Sequence, residues 1–113
     1  MTKEEKDLLI KDLCARLPYG VKLETLEGPQ ELDLRWLSIN MCNIASPYLP
    51  YLLPISSMTE EQKNEWQSLM IQDDYGILYH TIKSYDYLNK HHFDYRGLIP
   101  MGFAINAIGK NIY

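Results

Sequence analysis

The stretch LPYGVKLE, residues 17–24, decides the fold class, because the spacing of apolar residues changes within it. Before Pro18, apolar side chains recur every four positions, as on the buried face of a helix. These residues are Leu9, Leu13 and Leu17. After Pro18, apolar and polar residues alternate, which is typical of a half-buried strand. The alternating apolar residues are Tyr19, Val21 and Leu23. A helix followed directly by a strand predicts a mixed fold.

The first helix is predicted over about residues 3–16. Thr2 and Glu5 have the spacing of a capping box, in which each side chain binds the backbone N–H of the other residue. Pro18 ends the helix, because the residue before a proline is disfavoured in helical conformation. Cys14 lies among apolar helix residues, where we expect its thiol to behave as a small hydrophobic group.

An antiparallel hairpin is predicted over about residues 19–41, with its turn at 27–30, Glu-Gly-Pro-Gln. Its second strand alternates through Leu32 and Leu34, but the phase slips at Leu37. Such a slip indicates either a β-bulge or a break between two strands. We favour one hairpin continued by a third short strand through Met41.

The rest of the chain adds helices and one strand. Pro47, Pro50 and Pro54 exclude a regular helix or a central strand there and favour an extended connector across the core. Helices are predicted over about 59–71 and about 77–91, although residues 75–80 also alternate as a strand would. A short apolar strand is predicted over about 103–107. The prediction is one α+β domain, residues 1–113, in which a small antiparallel sheet packs against three helices.

Charge and composition exclude several classes of protein. The 113 residues carry a net charge of −4, with no run of basic residues, so nucleic acid is an unlikely partner. With 46% hydrophobic residues the chain can form a core, but no apolar stretch is long enough to cross a membrane. We see no signal peptide and expect a cytoplasmic protein, in which Cys14 and Cys42 stay reduced.

Three segments resemble a family of short bacterial proteins of gut anaerobes, often encoded near prophage-like genes. They are KDLCARLPYGV at residues 11–21, SSMT at 56–59 and YLNKHHFDYRGLI at 87–99. The family has no assigned activity, so the resemblance implies only a bacterial cytoplasmic protein of one domain, with a possible link to mobile elements. It implies no catalytic residue and no cofactor.

The densest group of polar and aromatic residues follows the third helix. We take it as the candidate binding surface, formed by Tyr87, His91, His92, Asp94, Tyr95 and Arg96. Arg96 could clamp a carboxylate or phosphate. Alternatively, Asp94 caps the following turn and Arg96 closes an internal salt bridge, which is the interpretation we favour. The histidine spacing matches no metal motif, and neither a catalytic residue nor a cofactor is predicted.

Tyrosine is the most unusual feature of the composition, with nine residues. Tyrosine is enriched at protein interfaces because it combines apolar area with a polar tip. The leading prediction is therefore a non-enzymatic interaction module that docks another protein or a copy of itself through a tyrosine-bearing surface. The alternative is a small nucleic-acid-associated regulator of a mobile element. A small metal-dependent hydrolase using His91, His92 and Asp94 is least favoured.

Overall fold

The computed structural model describes residues 2–35, 37 and 49–113. Helix α1 spans Lys3–Arg16, as predicted. Thr2 Oγ1 accepts a hydrogen bond from the Glu5 backbone N–H at 3.1 Å, and Glu5 Oε1 accepts one from the Thr2 N–H at 2.8 Å, which confirms the capping box. The helix is followed by a 3₁₀ turn, Leu17–Tyr19, which contains Pro18, the residue predicted to end the helix.

The buried face of α1 includes charged residues that the sequence analysis did not predict there. Leu9 and Leu13 are buried, but so are Asp12 and Arg16. Cys14 is exposed, so its predicted place among apolar neighbours is wrong. The reason is helical geometry, since position 14 lies on the side of α1 opposite the face that buries Leu9, Asp12, Leu13 and Arg16. Cys42 lies outside the described residues.

The predicted hairpin is present but shorter. Strands β1, Lys22–Thr25, and β2, Gly28–Glu31, pair antiparallel with Leu23 opposite Gln30. Beyond β2 the predicted strand is wrong, because the Leu37 N–H donates to the Asp33 carbonyl at 3.1 Å, one helical turn back. The predicted third strand through Met41 lies outside the described residues.

The proline-rich segment supplies a central strand. Strand β3, Tyr51–Pro54, lies in the middle of a three-stranded sheet, and the prediction that prolines exclude this was wrong. A proline has no N–H group to donate, but Pro50 precedes the strand and Pro54 is its last residue. The residues between them can therefore donate their N–H groups to the neighbouring strands. Leu53 N–H donates to the His92 carbonyl at 2.8 Å, and the Pro50 carbonyl accepts from Ile105 N–H at 2.8 Å.

The second half of the chain folds around β3. Its elements are β4 (Ile71–Gln72), β5 (Leu78–Tyr79), β6 (Phe93–Asp94), β7 (Ile105–Asn106) and the helices α2 (Glu60–Ser68), α3 (Ile82–Lys90) and α4 (Leu98–Met101). Both β6 and β7 pair with β3 in parallel, so the predicted strand near 103–107 exists but does not join an antiparallel sheet. Residues 78–79 are strand, and α3 begins later than predicted because Thr81 caps it at the Ser84 N–H.

The fold is α+β, as predicted, with a core between α1, the β1–β2 hairpin, β3 and α4. Its buried apolar side chains are Leu9, Leu13, Val21, Leu23, Leu32, Leu37, Leu52, Leu98 and Ala104. Burying one such leucine contributes about 1.5–3 kcal/mol to the free energy of folding. None of the helices in residues 2–35 and 49–113 combines the length and apolar composition that crossing a bilayer requires.

Candidate functional site

The structure separates the six residues of the predicted binding surface into different environments. Tyr87 and His91 pack against each other near the end of α3, with ring centroids 4.3 Å apart. The Tyr87 hydroxyl donates to Glu65 Oε2 on α2 at 3.1 Å. Burial, together with Glu65, raises the pKa of Tyr87 to about 12. Burial also lowers the pKa of His91. This pair therefore joins α2 to α3.

Asp94 caps α4, as the structural interpretation predicted. The side chain is buried, and its two oxygens accept the Leu98 and Ile99 N–H groups, both at 2.9 Å. Helix α4 spans only four residues, so these bonds satisfy N–H groups that a short helix cannot pair internally. Both oxygens of the Asp94 carboxylate thus stabilise the start of α4.

His92 occupies an unusual backbone and side-chain environment. Its φ is 64°, in the left-handed region that few residues other than glycine adopt. The ring stacks on Tyr113 with centroids 3.7 Å apart and planes 9° from parallel, and the buried Nδ1 has no hydrogen-bond partner among the described residues. Burial, and then the positive charge of Arg16, lowers the pKa of His92 to about 4.

Arg96 belongs to a charge cluster of three residues that we define as Asp12, Arg16 and Arg96. Arg16 Nε donates to Asp12 Oδ2 at 2.8 Å, and Arg96 Nη1 donates to Asp12 Oδ1 at 2.7 Å. Asp12 and Arg16 are fully buried, whereas Arg96 is 15% exposed. The predicted internal salt bridge of Arg96 is confirmed. Sequence reasoning missed its partner, although Asp12 and Arg16 have the four-residue spacing of a helical ion pair.

Tyr95 covers the charge cluster. Its ring lies 4.6 Å from the Arg96 guanidinium carbon and 5.4 Å from that of Arg16, distances typical of cation–π contacts. Its hydroxyl donates to Asn89 Oδ1 at 3.1 Å. The ring of Tyr85 packs against it at 5.3 Å. Tyr95 and Arg96 are the two residues of the predicted surface that share one site.

A different part of the molecule presents the most exposed tyrosines. Seven of the nine tyrosines lie between residues 48 and 95: Tyr48, Tyr51, Tyr75, Tyr79, Tyr85, Tyr87 and Tyr95. Tyr75, Tyr79 and Tyr85 are exposed, Tyr51 is buried, and Tyr87 and Tyr95 are half-buried. Tyr48 lies outside the described residues. Tyr85 lies on α3 beside Tyr95, whereas Tyr75 and Tyr79 lie in residues 71–79, which form β4, a turn and β5, and which we call the hairpin arm.

Asp73 and Gly76 fix the turn of the hairpin arm. Gly76 adopts φ 82°, which suits a three-residue hairpin loop with a left-handed position. Asp73 Oδ1 accepts the N–H groups of Tyr75 and Ile77, both at 2.9 Å, and Oδ2 accepts the Tyr79 hydroxyl at 3.0 Å. The bond from Ile77, with those from Tyr79 and Tyr75, holds the pKa of Asp73 below its usual value. The sequence, which predicts helices over about 59–71 and about 77–91, does not predict this arrangement.

The hairpin arm carries an uncovered apolar face. Ile71 lies opposite Tyr79 in the register, and Ile77 is two residues before Tyr79, so the three side chains share one face of the pair. All three are exposed. In the described part of the chain, the β4–β5 pair joins no other strand. Isolated two-stranded hairpins are marginally stable in water, so this exposed face needs an explanation.

We expect Asp73→Ala to open the turn of the hairpin arm, because it removes the acceptor of two backbone N–H groups. Amide hydrogen exchange measured by NMR should become about tenfold faster at Tyr75 and Ile77. Asp73→Asn keeps an acceptor oxygen, so the Tyr75 and Ile77 amides of this variant should exchange nearly as slowly as those of the wild type. Asp74→Ala, at the neighbouring exposed position, is the control. Unchanged exchange in Asp73→Ala would contradict this account of the turn.

No three side chains of His, Cys, Asp or Glu come together as metal ligands in residues 2–35, 37 and 49–113. Comparison with known proteins gives no further guide to the site. No model of a protein family matches the chain, no curated protein matches its sequence, and no solved structure matches its fold.

Proposed function

We propose that this protein is a non-enzymatic interaction module that docks a second copy of itself through the hairpin arm and the start of α3. One observation carries the proposal. Among the described residues, six of the twelve exposed large apolar side chains fall within residues 71–82. They are Ile71, Tyr75, Ile77, Leu78, Tyr79 and Ile82. Exposed apolar patches of this kind mark contact sites.

The area of the patch supports a dimer. Tyr75 is 90% exposed and Ile82 is 82% exposed, and the other four side chains are between 40% and 63% exposed. Leu78 precedes Tyr79 on β5 and therefore lies on the opposite face of the pair. At roughly 200 Å² for each of the other five residues, their exposed fractions amount to roughly 600–700 Å² on one copy. Stable interfaces bury about 800 Å² on each partner, so this patch would supply most of a dimer interface.

The apolar face of the hairpin arm favours a second copy as the partner. Two such faces can stack about a two-fold axis, because an isologous interface is self-complementary. Each copy would then bury Ile71, Ile77 and Tyr79 against the same face of the other.

The reactive side chains of the predicted surface support a non-enzymatic role, because each has a structural task. The Asp94 carboxylate caps α4, the His92 ring stacks on Tyr113, and the Tyr87 hydroxyl binds Glu65. We propose the cytoplasm as the location of the protein, the compartment in which Cys14 and Cys42 are expected to stay reduced.

We expect the wild-type protein to be a dimer at high micromolar concentration in size-exclusion chromatography with light scattering. Tyr75→Ser with Ile77→Ser should give a monomer, because it removes two apolar side chains from the patch. Leu26→Ser is the matched control, since Leu26 is 86% exposed on the turn of the other hairpin, and it should stay dimeric. Circular dichroism checks that each variant is folded. A monomeric wild type, or a dimer unaffected by the double substitution, would overturn the proposal.

A further inference from the structure

An open hollow of about 560 Å³ lies beside the charge cluster, between α1 and α3. It is lined by Lys11, Ala15, Tyr85, Asn89, Tyr95 and Arg96. Two of these side chains are cationic, and no acidic side chain is among the described residues that line it. Asp86, which follows Tyr85 on α3, lines a different hollow with Lys83 and Lys90. The lining is therefore positively charged, although the whole chain is acidic.

The charge of Arg96 is only partly compensated inside the protein. Both oxygens of Asp12 are occupied, one by Arg16 and the other by Arg96, so one carboxylate faces two guanidinium groups. Asp94, the other buried carboxylate, bonds to the N–H groups of α4. Arg96 uses only Nη1, and its Nε and Nη2 bond to no described residue. These two nitrogens donate side by side, which suits the two oxygens of a carboxylate or phosphate.

Two further donors line the same hollow. Asn89 is nearly fully buried, and its Oδ1 accepts the Tyr95 hydroxyl at 3.1 Å. Its amide nitrogen bonds to no described residue, so it can donate to a ligand. Lys11 is exposed on α1, and Ala15 follows it by one helical turn. Because the alanine side chain is small, it leaves room for a ligand between the Lys11 ammonium group and Arg96.

The aromatic side chains give the hollow an apolar wall. The Tyr85 and Tyr95 rings lie 5.3 Å apart and are tilted by 48°. The Arg96 guanidinium lies over the Tyr95 ring, which holds the cation in place. The Tyr85 ring also stacks on His80 at 4.6 Å, so a ligand ring can pack against its other face or its edge. A ligand that combines a ring with an anionic group would satisfy both parts of the lining.

We propose that this hollow is a binding site for a small oxyanion, a carboxylate or phosphate, carried on a flat ring. The anionic group binds Arg96 Nε and Nη2, Lys11 and the Asn89 amide, and the ring packs on Tyr85 and Tyr95. The site lies within one chain, and its only lining residue that contacts the segment after β5 among the described residues is Tyr85, whose ring stacks on His80. Its test therefore does not require dimerisation.

The test is an NMR titration of the wild-type protein with adenosine monophosphate, benzoate and adenosine. We expect at least one of the two anions to cause saturable shifts of the Ala15, Asn89 and Arg96 amides at concentrations up to about 10 mM. Adenosine, which has the ring without the anion, should bind at least about tenfold more weakly than adenosine monophosphate if the latter is the ligand type. The anion that saturates identifies phosphate or carboxylate as the preferred group.

Variants separate the site from general attraction of anions. Lys11→Met should weaken binding of the preferred anion by about three- to tenfold. Lys3→Met is the matched control on the same helix, about 12 Å away, and should leave binding unchanged. Arg96→Lys keeps the charge but loses the paired donors, so it should weaken binding by about tenfold or more, with thermal unfolding checking that it is folded. The proposal would be overturned if neither anion gave saturable amide shifts, or if Lys11→Met and Lys3→Met weakened anion binding equally.

Discussion

Asp12→Ala should lower the free energy of unfolding by about 3–5 kcal/mol, the largest effect expected of any single substitution considered for this protein. The substitution leaves Arg16 fully buried without its carboxylate partner and also removes the partner of Arg96. The two remaining hydrogen bonds of Arg16 to described residues are donated to the carbonyls of Phe93, at 2.6 Å, and Leu88, at 3.5 Å. Neutral carbonyls cannot compensate a desolvated cation as a carboxylate does.

Urea unfolding followed by circular dichroism measures this effect. Asp7→Ala, at an exposed position of the same helix, is the matched control and should change stability by less than about 0.5 kcal/mol. Arg96→Ala should cost less than Asp12→Ala, because Arg96 is partly exposed and Asp12 keeps Arg16. An Asp12→Ala variant within about 1 kcal/mol of the wild type would show that the charge cluster does not act as described.

The stability of the protein should fall as the pH decreases from about 6.5 towards 4, because His92 is neutral in the folded protein. Burial lowers the pKa of His92 from 6.5 to about 4, so in this range the unfolded chain binds a proton that the folded one does not. The full shift corresponds to about 3 kcal/mol. His92 is partly accessible to solvent, which reduces the expected loss to about 1–2 kcal/mol.

The measurement is the free energy of unfolding at several pH values between 7 and 5, where few carboxylates titrate. His92→Asn should remove most of the pH dependence, since asparagine does not titrate and tolerates the left-handed backbone found at this position. His80→Asn changes an exposed histidine and should leave most of the pH dependence of the free energy of unfolding unchanged. A wild-type stability that does not change over this range would contradict the neutral, buried state of His92.

Local signals predicted the elements that begin at a capping residue. Thr2 with Glu5 and Thr59 with Gln62 each form the capping box that their spacing indicates. The third start, at Thr81, was missed because its partner is Ser84 rather than an acid or amide. The residues after β2 were assigned to a strand because Leu32 and Leu34 alternate with polar residues, in spite of the phase slip at Leu37. The hydrogen bond from the Leu37 N–H to the Asp33 carbonyl shows a helical turn there instead.

Sheet pairing could not be predicted from the sequence, for a physical reason. Strands β6 and β7 have two residues each, and two residues carry no periodicity. Their hydrogen bonds to β3 depend on long-range packing. The prolines of the 46–57 segment suggested that no sheet could form around it. The structure shows that a proline at a strand end still offers its carbonyl.

The candidate sites were predictable only in part. The cap by Asp94 and the salt bridge by Arg96 follow from residue types that usually act locally. Asp12 and Arg16 were overlooked because charged helix residues usually face solvent. The hairpin arm was also overlooked, since exposure of an apolar side chain is a property of the folded molecule and not of its composition.

The position of β3 has a consequence for the order of events during synthesis. Leu53 pairs with Phe93 and Tyr51 with Ile105, so the middle strand leaves the ribosome long before either neighbour. Until then its backbone groups have no partner in the three-stranded sheet, and the bridge between Leu23 and Pro50 joins it to β1. Such distant pairing slows folding. Nascent chains that end before residue 93 should therefore hold α1 and the first hairpin but lack the three-stranded sheet.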